Sequence, residues 1–256
     1  ADNYTIQPID YIDSYASYNG VDQNTIWADV APIKGPTTPG DQLMVECWFR
    51  VPTGTTHGII FNKEREYELE VRRVGAALQL RVATWHNTSP DDWGWELVRA
   101  DLEHDTWYHV ALILTATTTG YNATVRQLDT IFYNKDFTNT LPTRSSNLRF
   151  GARDLDGGAG WFAGDMTEFR VWRSNSADLN DLFDTSRIGL HSIRSPGYPN
   201  SWPGLPFDLV KWKPQVKDAN LNGQGSSTTA NNPTFTDARD AGFTTGPFPD
   251  LFNPVD

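Results

Sequence analysis

Hydrophobic and polar residues alternate with period two through much of the first two thirds of the chain. Tyr67-Glu68-Leu69-Glu70-Val71 places three apolar side chains on one face, and Leu78-Gln79-Leu80-Arg81-Val82 repeats the pattern beyond Gly75. Two alternating runs around a glycine-containing loop predict a β-hairpin. Leu43 to Val51 is bounded by Pro39-Gly40-Asp41 and Pro52-Thr53-Gly54, the turn residues that delimit a strand. Trp107 to Leu114 is almost continuously apolar, as expected of a strand buried on both faces. Further strands are predicted at Leu148–Gly151 and Phe169–Trp172, with one or two between Asn122 and Tyr133. The single helix candidate is a short turn from Ser176 to Phe183. Strands at this spacing, with turns between them, predict an all-β sandwich or barrel.

The pattern changes near residue 191. Residues 191–256 hold nine of the sixteen prolines, six glycines and no glutamate. The expected organisation is therefore a β-sandwich over 1–190 and an irregular Pro/Gly-rich C-terminal extension over 191–256. That extension packs either on the sandwich or on a neighbouring chain. The charge also divides there: the first 190 residues carry 26 acidic against 16 basic side chains, the extension six against five. The net charge of −11 argues against a nucleic-acid partner, which calls for a basic stripe. No apolar run approaches the roughly 18 residues of a membrane span. Cys47 is the single cysteine, which excludes an intrachain disulfide and a multi-cysteine metal site.

Three motifs then occur in order. Val45-Glu46-Cys47-Trp48-Phe49 comes first, and Thr106-Trp107-Tyr108-His109-Val110-Ala111 second. The third is Asn147-Leu148-Arg149-Phe150-Gly151 followed by Trp161-Phe162-Ala163-Gly164-Asp165-Met166-Thr167-Glu168-Phe169-Arg170-Val171-Trp172. Over about residues 14–190 the chain resembles laminin-G-like domains of the concanavalin-A-like lectin and glucanase superfamily. The resemblance implies a jelly-roll fold and a structural role for His109. Where many members carry Tyr-Val-Asp-Gly in a hairpin, this chain has Ile131-Phe132-Tyr133-Asn134-Lys135, so a different turn is expected. The superfamily includes lectins, adhesion modules, glycosidases, lyases and structural domains, so the fold alone does not name a function.

Four groups of residues carry candidate chemistry. The run Glu64-Arg65-Glu66-Tyr67-Glu68-Leu69-Glu70 puts four glutamates at strand spacing on one face. Retaining glycosidases need two carboxylates about 5 Å apart, and Glu66 and Glu68 are the candidate pair for a polysaccharide-degrading enzyme. The competing expectation is a solvated face: Tyr67, Leu69 and Val71 take the core, and Arg72, Arg73 and Arg81 offset the like charges. Trp85, Trp93, Trp95 and Trp161 fall in or beside expected loops, where indole faces stack on sugars or on partner proteins. Trp48, Trp107 and Trp172 sit inside strand motifs and are expected in the core. Asp154-Leu155-Asp156-Gly157-Gly158 offers Asp154 and Asp156 as calcium ligands, since hard cations take paired carboxylates and backbone carbonyls. Asp91 and Asp92 form a weaker second loop. No His-x-x-x-His spacing and no Gly-x-Ser-x-Gly elbow occurs.

These features favour a non-catalytic surface module at an extracellular or virion surface. It would bind glycan, or decorate a larger assembly by contact with neighbouring protein subunits. The enzyme is the alternative.

Overall fold

The computed structural model describes residues 14–27, 29, 31–85, 93–127, 130–153, 160–175, 178–180, 208–212 and 234–237. These form two antiparallel sheets. The strands of the larger sheet are β1 (Ser14–Asn19), β3 (Gln42–Arg50), β8 (Trp107–Ala116), β9 (Tyr121–Gln127), β10 (Thr130–Phe137) and β12 (Ala163–Ser174). Two more, β13 (Asp208–Trp212) and β14 (Thr234–Asp237), come from the C-terminal extension. Their order is β10-β9-β8-β3-β12-β1-β14, with β13 on β12 beyond the end of β1. The smaller sheet has β2 (Thr25–Trp27), β4 (His57–Lys63), β5 (Tyr67–Val74), β6 (Ala77–Trp85), β7 (Trp93–Leu102) and β11 (Leu148–Phe150), in the order β2-β11-β4-β5-β6-β7.

The alternation read from the sequence is the packing rule of the core. Tyr67, Leu69 and Val71 of β5 and Leu80 and Val82 of β6 face Val45, Phe49, Leu112, Val125 and Val171 of the larger sheet in one buried cluster. Two glycines in the family-like motifs are required by close approach. Gly151 has φ +86°, and a Cβ there would meet the Tyr18 ring at 2.8 Å. Gly164 has φ +155°, and its Cβ would collide with the carbonyl oxygen of Arg50 and the ring of Phe162. A side chain at either position has nowhere to go.

The structure departs from the expectation in several places. Trp85 ends β6 and Trp93 opens β7, beside the segment that joins them, while Trp95 lies inside β7. Residues Ile131–Lys135 all lie in β10 and pair with β9, so they form a strand and not the turn expected there. Of the helix candidate, only 178–180 are described. Trp48 and Trp107 are buried, but in a separate cluster with Tyr15 and not between the sheets. Among the described residues no helix is long and apolar enough to cross a membrane.

The central strands of the larger sheet are buried on their outward side too. Met44, Glu46, Trp48, His109, Arg170 and Trp172 point away from the core and are at most 3% exposed. Glu46 organises them: Trp172 Nε1 donates to its Oε1 at 2.6 Å, His109 Nε2 meets its Oε2 at 2.7 Å, and Arg170 lies beside it at 3.6 Å. The structural role expected of His109 thus has a physical form, a buried imidazole against a buried carboxylate.

Candidate functional site

The site begins at the turn between β4 and β5. The Glu66 amide donates to the Lys63 carbonyl at 2.9 Å, and Arg65 adopts φ +59°, closing a tight turn. Glu64 and Glu66 therefore sit in the turn, and only Glu68 and Glu70 lie on the strand. The turn directs the fully buried Lys63 ammonium into a nest of oxygens. These are Asp29 Oδ1 at 3.0 Å, the carbonyls of Arg144 at 3.2 Å and Ser146 at 2.6 Å, and Glu66 Oε1 at 3.2 Å. Glu66 in turn accepts from the amides of Gly35 at 2.7 Å and Arg144 at 2.8 Å. Burial pushes the Glu66 carboxyl up, against the pull of Lys63 and the two amides. This nest fastens two distant segments across the end of the smaller sheet.

Glu68 and Glu70 project from β5 opposite Leu69 and Val71. The sequence favours a solvated face here, and the structure overturns that: Glu64, Glu66, Glu68 and Glu70 are all buried, none above 7% exposed. The reason is countercharge from other segments, since carboxylates leave water only when paired and hydrogen-bonded. Arg153 Nη2 donates to Glu64 Oε1 at 2.9 Å, and its Nε lies 3.2 Å from Glu68 Oε2. Asn62, directly across from Glu68 on β4, donates to Glu68 Oε2. Glu70 pairs with Arg81 at 3.0 Å and with His57 at 2.8 Å. Arg81 serves as the sequence suggests, whereas Arg72 and Arg73 are exposed and their expected share falls to Arg153. The Arg81 guanidinium lies over the partly exposed Trp95 ring, 5.5 Å from its centroid. The face thus has a floor of buried carboxyls, a surface of partly exposed guanidinium and imidazole groups and an indole at its side.

The pairing differs from the one expected. Glu64 and Glu68 share Asn62 and Arg153, while Glu66 is held apart by Lys63, Gly35 and Arg144. Burial, opposed by Arg153 and reinforced by Glu64, pushes the Glu68 carboxyl up to about 8. A group neutral in the folded chain but ionised above about 4.5 when unfolded binds its proton more tightly when folded. Stability therefore falls as pH rises from about 5 to 8, and this share of the dependence levels off above 8. At about 1.4 kcal/mol per pKa unit, the loss is of order a few kcal/mol. Glu68→Gln removes that share. Its urea midpoint is expected to exceed that of the unmodified chain at pH 8 and to converge on it near pH 4.5. A constant difference across pH 4.5, 6.5 and 8 would show that Glu68 ionises normally.

Of the remaining candidates, Trp161 is partly exposed just before β12. Backbone pairing sets Trp85 opposite Trp93 and Ala83 opposite Trp95, so the aromatic positions gather at the β6–β7 end of the smaller sheet. Asp154 and Asp156, and also Asp91 and Asp92, lie outside the described residues. Among the described residues no group of three or more His, Cys, Asp or Glu is placed to hold a metal ion. Arg153, Asn62 and His57 complete the site without being legible as partners in the sequence. Arg153 is 89 positions from Glu64, and no local pattern links them.

Two antiparallel sheets with this order and these motif glycines define a jelly-roll domain of the lectin type. The chain belongs to the concanavalin A-like lectin/glucanases superfamily, whose laminin-G model matches residues 22–176. No curated protein matches the sequence. Among solved structures it is similar to a candidate carbohydrate-binding protein from Bacteroides ovatus. The TM-score is 0.59 at 17% identity, covering 88% of this chain and 60% of that one. It is also similar to the native heptameric SAP-like pentraxin of Limulus polyphemus, with TM-score 0.49 at 15% identity, covering 83% and 100%. A third is domain 4 of an extracellular arabinanase from Geobacillus stearothermophilus, solved with arabinotriose, with TM-score 0.40 at 17% identity, covering 70% and 76%. The chain thus spans 60% of the length of the Bacteroides ovatus protein. At these identities the likeness is one of fold.

Proposed function

We propose that the chain is a non-catalytic glycan-binding module displayed at a surface, extracellular or on a virus or phage particle. The observation that carries this reading is the outer face of the smaller sheet. Partly exposed Arg153, Arg81 and His57 stand on buried carboxyls beside the partly exposed Trp95. Sugars are bound by this combination of an aromatic plate and planar hydrogen-bonding groups held rigidly from behind. Superfamily membership and the name of the Bacteroides ovatus relative support it. Trp85, Trp93 and Trp161 are the further stacking candidates. Asp154 and Asp156 are the candidate calcium ligands, and the C-terminal extension is the candidate contact with neighbouring subunits.

The test is a broad glycan array, run in calcium and again in chelator. Binding to at least one glycan is expected, reduced at least tenfold by Trp95→Ala. Binding abolished by chelator assigns calcium a part in recognition. Silence in both buffers sinks the glycan-binding reading and leaves decoration of an assembly, for which the extension is the segment to delete.

A second reading is a polysaccharide-cleaving enzyme. One observation favours it: a carboxyl raised to about 8 beside a second carboxyl, the protonation pattern of a general acid. The pair that shares partners is Glu64 and Glu68, in place of Glu66 and Glu68. Release of reducing ends or unsaturated products from any polysaccharide, abolished by Glu68→Gln, would establish it.

A further inference from the structure

The charges on this face are already paired with one another. Each of its partly exposed guanidinium groups is already tied to a glutamate. Arg153 pairs with Glu64 and Arg81 with Glu70, and the His57 ring is hydrogen-bonded to the same Glu70. A guanidinium whose charge is cancelled by a buried carboxylate still offers N–H donors on its outer edge, but it no longer attracts an anion strongly. A ligand carboxylate or sulfate would have to break one of these pairs, and it would then lie beside the glutamate it displaced. A hydroxyl needs no such exchange, because it accepts from the outer edge of the cation and leaves the pair intact. The long-range field acts in the same sense, with a net charge of −11.

One atom in the floor is left incomplete. Glu68 is fully buried, and both Asn62 and Arg153 engage its Oε2, while its Oε1 has no hydrogen-bond partner. A buried polar atom without a partner is costly and is normally satisfied by something. Burial keeps this carboxyl largely protonated at neutral pH, so it has both a donor and an acceptor to offer. A hydroxyl matches that pair of functions, and an anion does not. Arg153 lies beside Glu68 and is partly exposed, so it is the group that stands between Glu68 and the solvent side of the face.

We propose that the outer face of the smaller sheet selects neutral, polyhydroxylated saccharides over acidic ones, with Glu68 Oε1 as the deepest hydrogen-bonding point and the Trp95 ring as the stacking plate. This rests on the glycan-binding reading and narrows it to one class.

Affinity electrophoresis of the full chain at low ionic strength tests it. The gels hold neutral polysaccharides (a β-glucan, an arabinan, a galactomannan) or acidic ones (alginate, polygalacturonate). Retardation is expected in at least one neutral gel and in neither acidic gel. Glu68→Met, which removes both oxygens at similar length, should reduce the retardation at least tenfold, with a thermal melt confirming that it folds. If it does not fold, Trp95→Ala at the surface takes its place with the same expected loss. Equal or stronger retardation by the acidic gels overturns the selectivity while leaving the glycan-binding reading intact. Neutral binding indifferent to both variants places the glycan elsewhere and overturns the site. No retardation in any gel removes the glycan-binding reading and this inference with it.

Discussion

Replacing Lys63 by methionine is expected to destabilise the domain by about 3–5 kcal/mol, the cost of breaking a fully buried ion pair from one side. The substitution keeps the length of the side chain and removes only the ammonium. The Glu66 carboxylate then loses its cation inside the fold, and Asp29 loses one of its two lysines. The carbonyls of Arg144 and Ser146 lose a donor as well. Because these groups come from three segments, the damage is not confined to one strand: the turn at 63–66 and the chain near 29–35 and 144–146 all meet at this nitrogen or at its partner Glu66. Asp29→Asn should cost less, about 1 kcal/mol, because its carboxylate is partly exposed and solvent screens it. Urea unfolding at pH 7, followed by tryptophan fluorescence, measures both. A loss under 1 kcal/mol for Lys63→Met would mean that water replaces the ammonium and that the nest does not hold the segments together.

Glu46→Gln is the second large effect, expected at about 3 kcal/mol. The change is isosteric, so it leaves packing alone and removes charge. The carboxylate that receives Trp172 Nε1 and His109 Nε2, and that faces Arg170, becomes an amide with only one acceptor oxygen. Either the indole or the imidazole then meets an amide N–H₂ group. Trp172 and Trp48 lie on this face, and Trp48 packs edge-on to His109 at 5.4 Å, so the near-ultraviolet circular dichroism should change with the stability. A stability and spectrum like those of the unmodified chain would show that the cluster is filler and not a fastening.

Several elements of this structure were legible from the residues alone. The period-two runs at 67–71 and 78–82 pair as a hairpin, because alternation is a local property that any strand with one face in a core must show. That the motif glycines of Phe150-Gly151 and Phe162-Ala163-Gly164 sit where backbone and rings approach too closely for a Cβ emerged only with the structure. Strands β4 and β7 were harder. His57-Gly58-Ile59-Ile60-Phe61-Asn62-Lys63 carries a bulge between Ile59 and Phe61 that breaks the alternation. Trp93 to Leu102 has register shifts against β6 and carries charge on both faces.

The site was legible only in part. The glutamate run stood out, but its surroundings did not. Alternation assigns Glu68 and Glu70 to the face away from the core and is correct in that. It says nothing about whether that face is wet. Whether a carboxylate can leave water depends on the charges that reach it, and Arg153 and Asn62 arrive from separate strands and loops. The same holds for Glu46, whose hydrogen-bonding partner Trp172 is 126 positions away.

From the sequence alone came the fold class, the division of residues between core and outer faces and the acidic character. All of these depend on local periodicity or on simple sums. Only the tertiary structure decided that the outer faces of both sheets bury charge, that Glu68 joins Glu64 and not Glu66, and that Trp85, Trp93 and Trp95 stand on strands. Those outcomes turn on which distant countercharges and hydrogen-bond donors reach a given carboxylate, and the free energy of a buried charge is set by those neighbours and not by its position along the strand.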